Sequence, residues 1–227
     1  MIIFNLKTYP LSSGFSVYDD LNVLSMLIKE NPIFSQLLYV APNLTDILSA
    51  MEKYPNLNIV AQHIDAVEAG KSTGRISPET LTNMGVHWAL SNHSERRIEK
   101  DLIIETLQIA DRFSLKLIVC VEGIDEAKDI IISSSIRPFA FAYEPKELIG
   151  SGMSVSNYKK EEVSEFCEFL SQENIFSIIG AGVTTPEDIL FGRQLGAKGF
   201  LIASAFAKSE DRKTLVKGYV NAYNSVD

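Results

Sequence analysis

Glu144 ends an apolar run, residues 138–143, and is followed at once by proline and then by Lys146, Glu147, Leu148, Ile149, Gly150, Ser151 and Gly152. Pro145 biases Glu144 toward extended backbone and halts the strand there. Gly150 and Gly152 permit positive φ and supply a hinge. A carboxylate at a strand end, beside a loop able to close over it, suits general-base chemistry under a lid; the ordinary alternative is a solvated glutamate before a surface loop. Lys7 closes the first apolar run, with Asn5 two residues before it, and His93 follows the fourth. A lysine on an inward strand face needs a compensating charge unless it snorkels outward. His93 precedes Ser94-Glu95-Arg96-Arg97, a polar turn read as opening a helix, where the dipole favours neutral imidazole. A capping or core histidine is the other reading, and His63 and His87 are assigned that one.

Two small-residue segments complete the set. Gly180-Ala181-Gly182 follows the seventh apolar run and Ala203-Ser204 closes the eighth. Small side chains there allow backbone N–H groups to approach an anion such as phosphate, although such segments are also common turns.

The elements that must position these residues follow from periodicity. Strands are expected at residues 2–6, 37–41, 57–62, 88–91, 115–121, 138–143, 176–180 and 199–203. Amphipathic helices lie between them, as where Val163, Phe166, Cys167 and Leu170 recur on one face, or Leu215, Val216, Tyr219, Val220 and Tyr223. Thr185-Pro186-Glu187-Asp188 reads as a capped helix start. This alternation predicts a single (β/α)8 TIM barrel over residues 1–227, with a doubly wound open sheet as the alternative. Strand parity favours the barrel. Asn5 and Lys7 share a face opposite Ile2, Phe4 and Leu6; Ala140, Ala142 and Glu144 share one opposite Phe139, Phe141 and Tyr143; and Ala89, Ser91 and His93 are read as the inner face of the fourth strand. A Lys, a His and a Glu then meet at the C-terminal rim, where barrels of this kind do chemistry.

The chain of 227 residues is 46% hydrophobic with a net charge of -8. That charge argues against nucleic acid or an anionic membrane as partner. No stretch approaches the roughly 18–20 apolar residues of a membrane span, and no basic leader precedes the first strand, so a cytoplasmic location is expected. Cys120 and Cys167 sit in apolar contexts without metal-ligand spacing and read as reduced, buried thiols.

Asn5-Leu6-Lys7-Thr8-Tyr9, Asn92-His93-Ser94-Glu95-Arg96-Arg97, Tyr143-Glu144-Pro145 through Gly150-Ser151-Gly152, Gly180-Ala181-Gly182 and Ala203-Ser204 together resemble the motifs of the triosephosphate isomerase family, in order and across nearly the whole chain. The short length, the Pro-Lys-Glu-Leu-Ile lid and the Asn before His93 resemble its compact archaeal branch; the common bacterial and eukaryotic form has Trp in the lid and Gly before the His. The resemblance implies interconversion of dihydroxyacetone phosphate and D-glyceraldehyde 3-phosphate, in glycolysis and gluconeogenesis, without metal or organic cofactor. Its implied catalytic residues are Glu144 as base, His93 as neutral electrophile, Lys7 on the oxyanion and Asn5 as hydrogen-bond donor, an assignment already standard for this family. Glu95 is implied to pair with or orient Lys7. Phosphate would rest on backbone N–H groups of Ile149 or Ser151, Gly182, Ala203 and Ser204, under a lid running from Pro145 to Gly152.

The connection from Gln62 to Ser77 is long for this fold, where roughly 2–6 residues is common. The family uses the corresponding loop to reach a second subunit, with a residue matching Thr73 near the partner's Asn5 and Lys7. A homo-oligomer, dimer or tetramer, is therefore expected; an Ω-loop is the alternative. Two other functions compete: a different phosphate-binding barrel such as an epimerase or lyase, usually carrying metal ligands at the mouth, and a catalytically silent barrel that binds a sugar phosphate or serves as a scaffold. The Glu, His, Lys and Asn set favours the isomerase, since a binder needs no base.

Overall fold

A computed structural model describes residues 1–148 and 160–226. The expected alternation forms, with the strands β1 (Ile2–Asn5), β2 (Leu38–Ala41), β3 (Asn58–Ile59), β4 (Trp88–Ser91), β5 (Lys116–Val121), β6 (Ala140–Tyr143), β7 (Phe176–Ile179) and β8 (Gly199–Ile202). All paired strands are parallel, in the order β3-β2-β1-β8-β7-β6-β5-β4. The two ends of that order meet. Ala61 bridges Ala89, with its N–H on the Trp88 carbonyl at 2.8 Å and its carbonyl taking the Leu90 N–H at 2.8 Å. The sheet is thus closed, and the open-sheet alternative is set aside.

The helices are α1 (Val17–Glu30), α2 (Ile47–Lys53), α3 (Pro78–Asn83), α4 (Lys100–Arg112), α5 (Ile124–Ser133), α6 (Lys160–Gln172), α7 (Pro186–Gln194), α8 (Ser204–Ala207) and α9 (Arg212–Asn224). They bury their apolar stripes on the outside of the barrel. Val163, Phe166, Cys167 and Leu170 of α6 are buried, as are Val216, Tyr219 and Val220 of α9. The Thr185 start of α7 is a capping box, in which the Asp188 carboxylate accepts the N–H groups of Thr184 and Thr185, each at 2.9 Å; this satisfies donors that a helix end would otherwise orphan.

Two apolar layers result. The outer one, between strands and helices, contains Ile2, Phe4, Leu6, Phe141 and Tyr143; the inner one, filling the barrel, contains Ile3, Ala41, Val60, Leu90, Ile118, Cys120, Ala140, Ala142, Ile178 and Leu201. Side-chain alternation along the strands forces this division. The expected parity of the first strand stands as far as Leu6, short of Lys7, and that of the sixth stands from Ala140 onward. Phe139 departs from it: it lies just before β6 and packs on the inner layer, edge-on to Trp88 at 4.8 Å between ring centroids.

The fourth strand corrects the expectation. Leu90, not Ala89, belongs to the inner layer, and Ala89 packs with the outer one. His93 therefore does not reach the mouth by strand alternation. The strand ends at Ser91, and Asn92 adopts φ 58°, which turns the chain and re-aims the next residue. Lys7 is delivered in a similar way. β1 ends at Asn5, and Lys7 has φ 49°.

Candidate active site

At the C-terminal rim Asn5, Lys7, His93, Glu95 and Glu144 line one cleft of about 420 Å³, which also takes in Gly180, Ala181, Gly182, Ala203 and Ser204. That size suits a small ligand. Each side chain is placed by a specific local device. The Glu144 N–H continues the β5 ladder onto the Val121 carbonyl at 2.8 Å, so the carboxylate stands one step above Ala142 on the inner face. It is 2% exposed. One oxygen accepts the Ser94 N–H at 2.8 Å, and the other lies 3.3 Å from Nε2 of His93. Both carboxylate oxygens are therefore engaged before any ligand arrives.

The His93 ring is fixed from its other side. Nδ1 accepts the Glu95 N–H at 3.1 Å. An imidazole nitrogen that accepts a hydrogen bond carries no proton, so the hydrogen-bond network assigns the proton to Nε2, the atom facing Glu144. The ring is then neutral and presents a donor to the cleft. The expected cause was a helix N-terminus, and this is corrected. Residues 93–96 form a turn, closed by the Arg96 N–H on the His93 carbonyl at 2.7 Å, and α4 begins only at Lys100. The Glu95 N–H does what the dipole was expected to do.

Lys7 donates from Nζ to Oε1 of Glu95 at 2.8 Å, and its backbone N–H binds Oδ1 of Asn5 at 3.1 Å. Asn5 is 3% exposed and its amide nitrogen lies 3.5 Å from Nε2 of His93. Sequence reasoning missed Gln62. Its Nε2 donates to the carbonyls of Lys7 at 3.0 Å and Ala41 at 2.9 Å, pinning the turn that carries Lys7. The available signal was parity, since Gln62 shares a strand face with the inner residue Val60. Tyr9, Thr184 and Lys208 also line the cleft and were not expected there.

Opposite these groups, the glycines act through space. A β-carbon on Gly180 would come within 2.6 Å of Cγ of Glu144 and 3.1 Å of the Tyr143 carbonyl oxygen. Gly182 has φ 70°, a conformation that disfavours larger residues. Gly182, Ala203 and Ser204, expected at the anion end, do line the cleft. Ile149, Gly150, Ser151 and Gly152 lie outside the described residues; Pro145, Lys146, Glu147 and Leu148 lie within them, and Leu148 is buried against the cleft. Lys146 pairs with Glu122 at 3.0 Å.

A neighbouring hollow of about 470 Å³ lies between the start of α5 and the beginning of the β6–α6 connection. Among the described residues its lining includes Glu122, Asp125, Glu126, Glu147, Glu162 and Glu165, with Arg97 as the basic side chain. Such a field repels a phosphate dianion. The lining of the mouth cleft, by contrast, includes the lysines Lys7 and Lys208.

The long connection is closed at its base by Asp65. Its carboxylate accepts the Ile76 N–H at 2.7 Å and Arg75 at 3.0 Å, and Thr73 is exposed beyond this clasp. Burial raises the Asp65 pKa, but the Ile76 N–H and the Arg75 side chain outweigh it and hold the group below its ordinary value. Burial pushes the Cys167 thiol up to about 11, and burial with the nearby Glu144 charge raises Cys120 well above the ordinary range. Both cysteines are free. Among the described residues no group of three or more His, Cys, Asp or Glu side chains is placed to hold a metal ion, and no helix is long and apolar enough to cross a membrane.

A closed parallel barrel whose mouth joins a buried carboxylate, an imidazole and a lysine beside a glycine-lined rim defines the class of (β/α)8 barrels with an acid–base cleft at the C-terminal end of the strands. The family model described as triosephosphate isomerase matches residues 1–219, and the chain belongs to that family. Among curated relatives, the triosephosphate isomerase of Thermoplasma volcanium is 37% identical over 210 residues, covering 92% of this chain and 94% of the relative. That of Saccharolobus solfataricus is 34% identical over 223 residues, covering 98% and 95%. The crystal structure of triosephosphate isomerase from Bartonella henselae matches in fold with a TM-score of 0.73 at 20% identity, covering 98% of both chains. The expected likeness to the archaeal branch is thus seen in the organisms of the curated relatives.

Proposed function

We propose that residues 1–227 form one catalytic domain that interconverts dihydroxyacetone phosphate and D-glyceraldehyde 3-phosphate, serving glycolysis and gluconeogenesis in the cytoplasm. The observation that carries this reading is the His93–Glu144 pair, with Nε2 and Oε1 at 3.3 Å and the Ser94 N–H on the second carboxylate oxygen. A carboxylate beside a neutral N–H donor can take a proton from carbon while the donor polarises the adjacent carbonyl. Glu144 removes the proton from one carbon and returns it to the neighbouring one. To do so it gives up a contact it makes at rest, to Ser94 or to His93. His93 serves the two oxygens of the enediolate in turn, Lys7 offsets their negative charge, and Asn5 supports the same oxygens. The substrate phosphate lies on the backbone of Gly182, Ala203 and Ser204, with Ile149 or Ser151 contributed by the lid. Closure of residues 145–152 excludes water and keeps the enediolate from losing its phosphate. The chemistry requires neither metal nor organic cofactor.

The working form is a homo-oligomer in which the exposed Thr73 loop of one copy reaches the Asn5–Lys7 edge of another. The experiment for the activity is a coupled assay with glyceraldehyde 3-phosphate in the presence of a chelator. Turnover supports the isomerase; phosphate binding without turnover supports a silent sugar-phosphate barrel instead.

A further inference from the structure

Asn92 is fully buried, and its φ of 58° places it in the left-handed region. Asparagine tolerates that conformation better than other residues with a side chain, and glycine better still. Backbone freedom alone would therefore call for glycine. The side chain has its own work. Oδ1 accepts the Ile98 N–H at 3.0 Å, and Nδ2 donates to the Cys120 carbonyl at 2.9 Å and to Oε1 of Glu126 at 3.2 Å. The partners also fix the amide orientation, since a flipped amide would set donor against donor at Ile98.

These bonds tie three elements together. Ile98 lies at the far end of the turn that begins at Asn92, Cys120 is near the end of β5, and Glu126 is in the first turn of α5. Glu126 is itself held, with Oε2 accepting the Glu122 N–H at 2.8 Å and Oε1 paired with Arg97. The two residues after Asn92 are His93 and Ser94, the pair that grips Glu144. Cys120 is paired in register with Ala142, two residues before Glu144. The amide thus spans the turn that carries the acid–base partner and the strand beside the one that carries the base.

We propose that Asn92 is a positioning residue for proton transfer: its amide clamp sets the 92–98 turn so that His93 and Ser94 both meet the Glu144 carboxylate. The proposal rests on the isomerase reading. Glycine would supply the turn without the clamp. Aspartate would keep the Ile98 bond but would set a second carboxylate against Glu126, a like-charge contact at a buried site.

The test compares wild type, Asn92→Gly and Glu126→Ala, the last removing a clamp partner without altering the strained turn. In Asn92→Gly, kcat for glyceraldehyde 3-phosphate is expected to fall about tenfold, because a small misplacement of reacting groups is costly. Inhibition by inorganic phosphate should change by less than about twofold, since the anion end is untouched. Glu126→Ala should lose about threefold in kcat by the same reasoning. Nitrogen-15 spectra of the labelled His93 ring should show a single tautomer, protonated at Nε2, in wild type and a mixture in Asn92→Gly. Retention of kcat within about twofold in both variants, or an unchanged ring spectrum in Asn92→Gly, would overturn the proposal. Wild type active with unaffected variants defeats the clamp alone, whereas wild type without turnover defeats the isomerase reading and the clamp with it.

Discussion

Gly180 and Glu144 share one small space: a β-carbon at position 180 would lie 2.6 Å from Cγ of the glutamate. Real β-carbons do not approach that closely, so Gly180→Ala must displace either the Glu144 side chain or the backbone of β6. The fold should survive, because the inner layer below is unchanged. Activity should not. A kcat loss of about 10²-fold is expected, with circular dichroism close to wild type. Wild-type kcat in this variant would show that the Glu144 position tolerates displacement.

Glu95 acts twice, through its N–H on His93 and its carboxylate on Lys7. Glu95→Gln keeps the backbone bond and weakens only the second contact, leaving the Lys7 ammonium less firmly held. Its kcat/KM should fall about tenfold, while Lys7→Ala should raise KM and lower kcat together by more than that. Steady-state kinetics on both variants check this. An unchanged profile for Lys7→Ala would remove the lysine from the mechanism.

Much of this site could be read before any fold was known. Glu144, His93, Lys7 and Asn5 could be singled out because each is a polar residue at or just past the end of an apolar run, and for Asn5 and Glu144 alternation also says which face it shares. Alternation fails where the chain leaves the strand. His93 was assigned to the inner face of β4 by counting through Asn92, but the left-handed turn there resets the count, and Leu90 holds the interior instead. The neutral His93 ring was expected from a helix dipole, and the helix starts too late to supply it. A side chain such as Gln62, bonded only to backbone carbonyls of distant strands, has no signature beyond parity, since its partners are set by barrel closure and not by neighbours in sequence.

His63 lies against Asp65, with Arg75 and Arg96 close by, and burial and then the Arg96 charge lower its pKa from the ordinary 6.5. A histidine that resists protonation in the fold but not in the unfolded chain gives stability that is lost as pH falls. Denaturant midpoints should therefore drop as pH is lowered from 6.5 toward the depressed folded-state value. The drop should be smaller in His63→Asn. Equal slopes in the two proteins would show that other groups carry the acid sensitivity.

The loop clasped by Asp65 presents exposed Thr73 to solvent in the single chain. If it serves assembly, wild type should scatter light as a dimer or tetramer. Thr73→Arg should shift it toward monomer and reduce activity with it, because the loop is placed to reach a partner's Asn5–Lys7 edge. A wild-type monomer at working concentration would assign the excursion to an Ω-loop without a partner.

The most direct test is turnover of glyceraldehyde 3-phosphate by wild type and Glu144→Ala in the presence of a chelator. The expected result is chelator-resistant isomerisation by wild type and a loss of about 10²–10⁴-fold in kcat on removal of the base, with inhibitory binding of inorganic phosphate retained. Absence of wild-type turnover, or a Glu144→Ala variant as active as wild type, would contradict the assignment of Glu144 as the base that moves the proton.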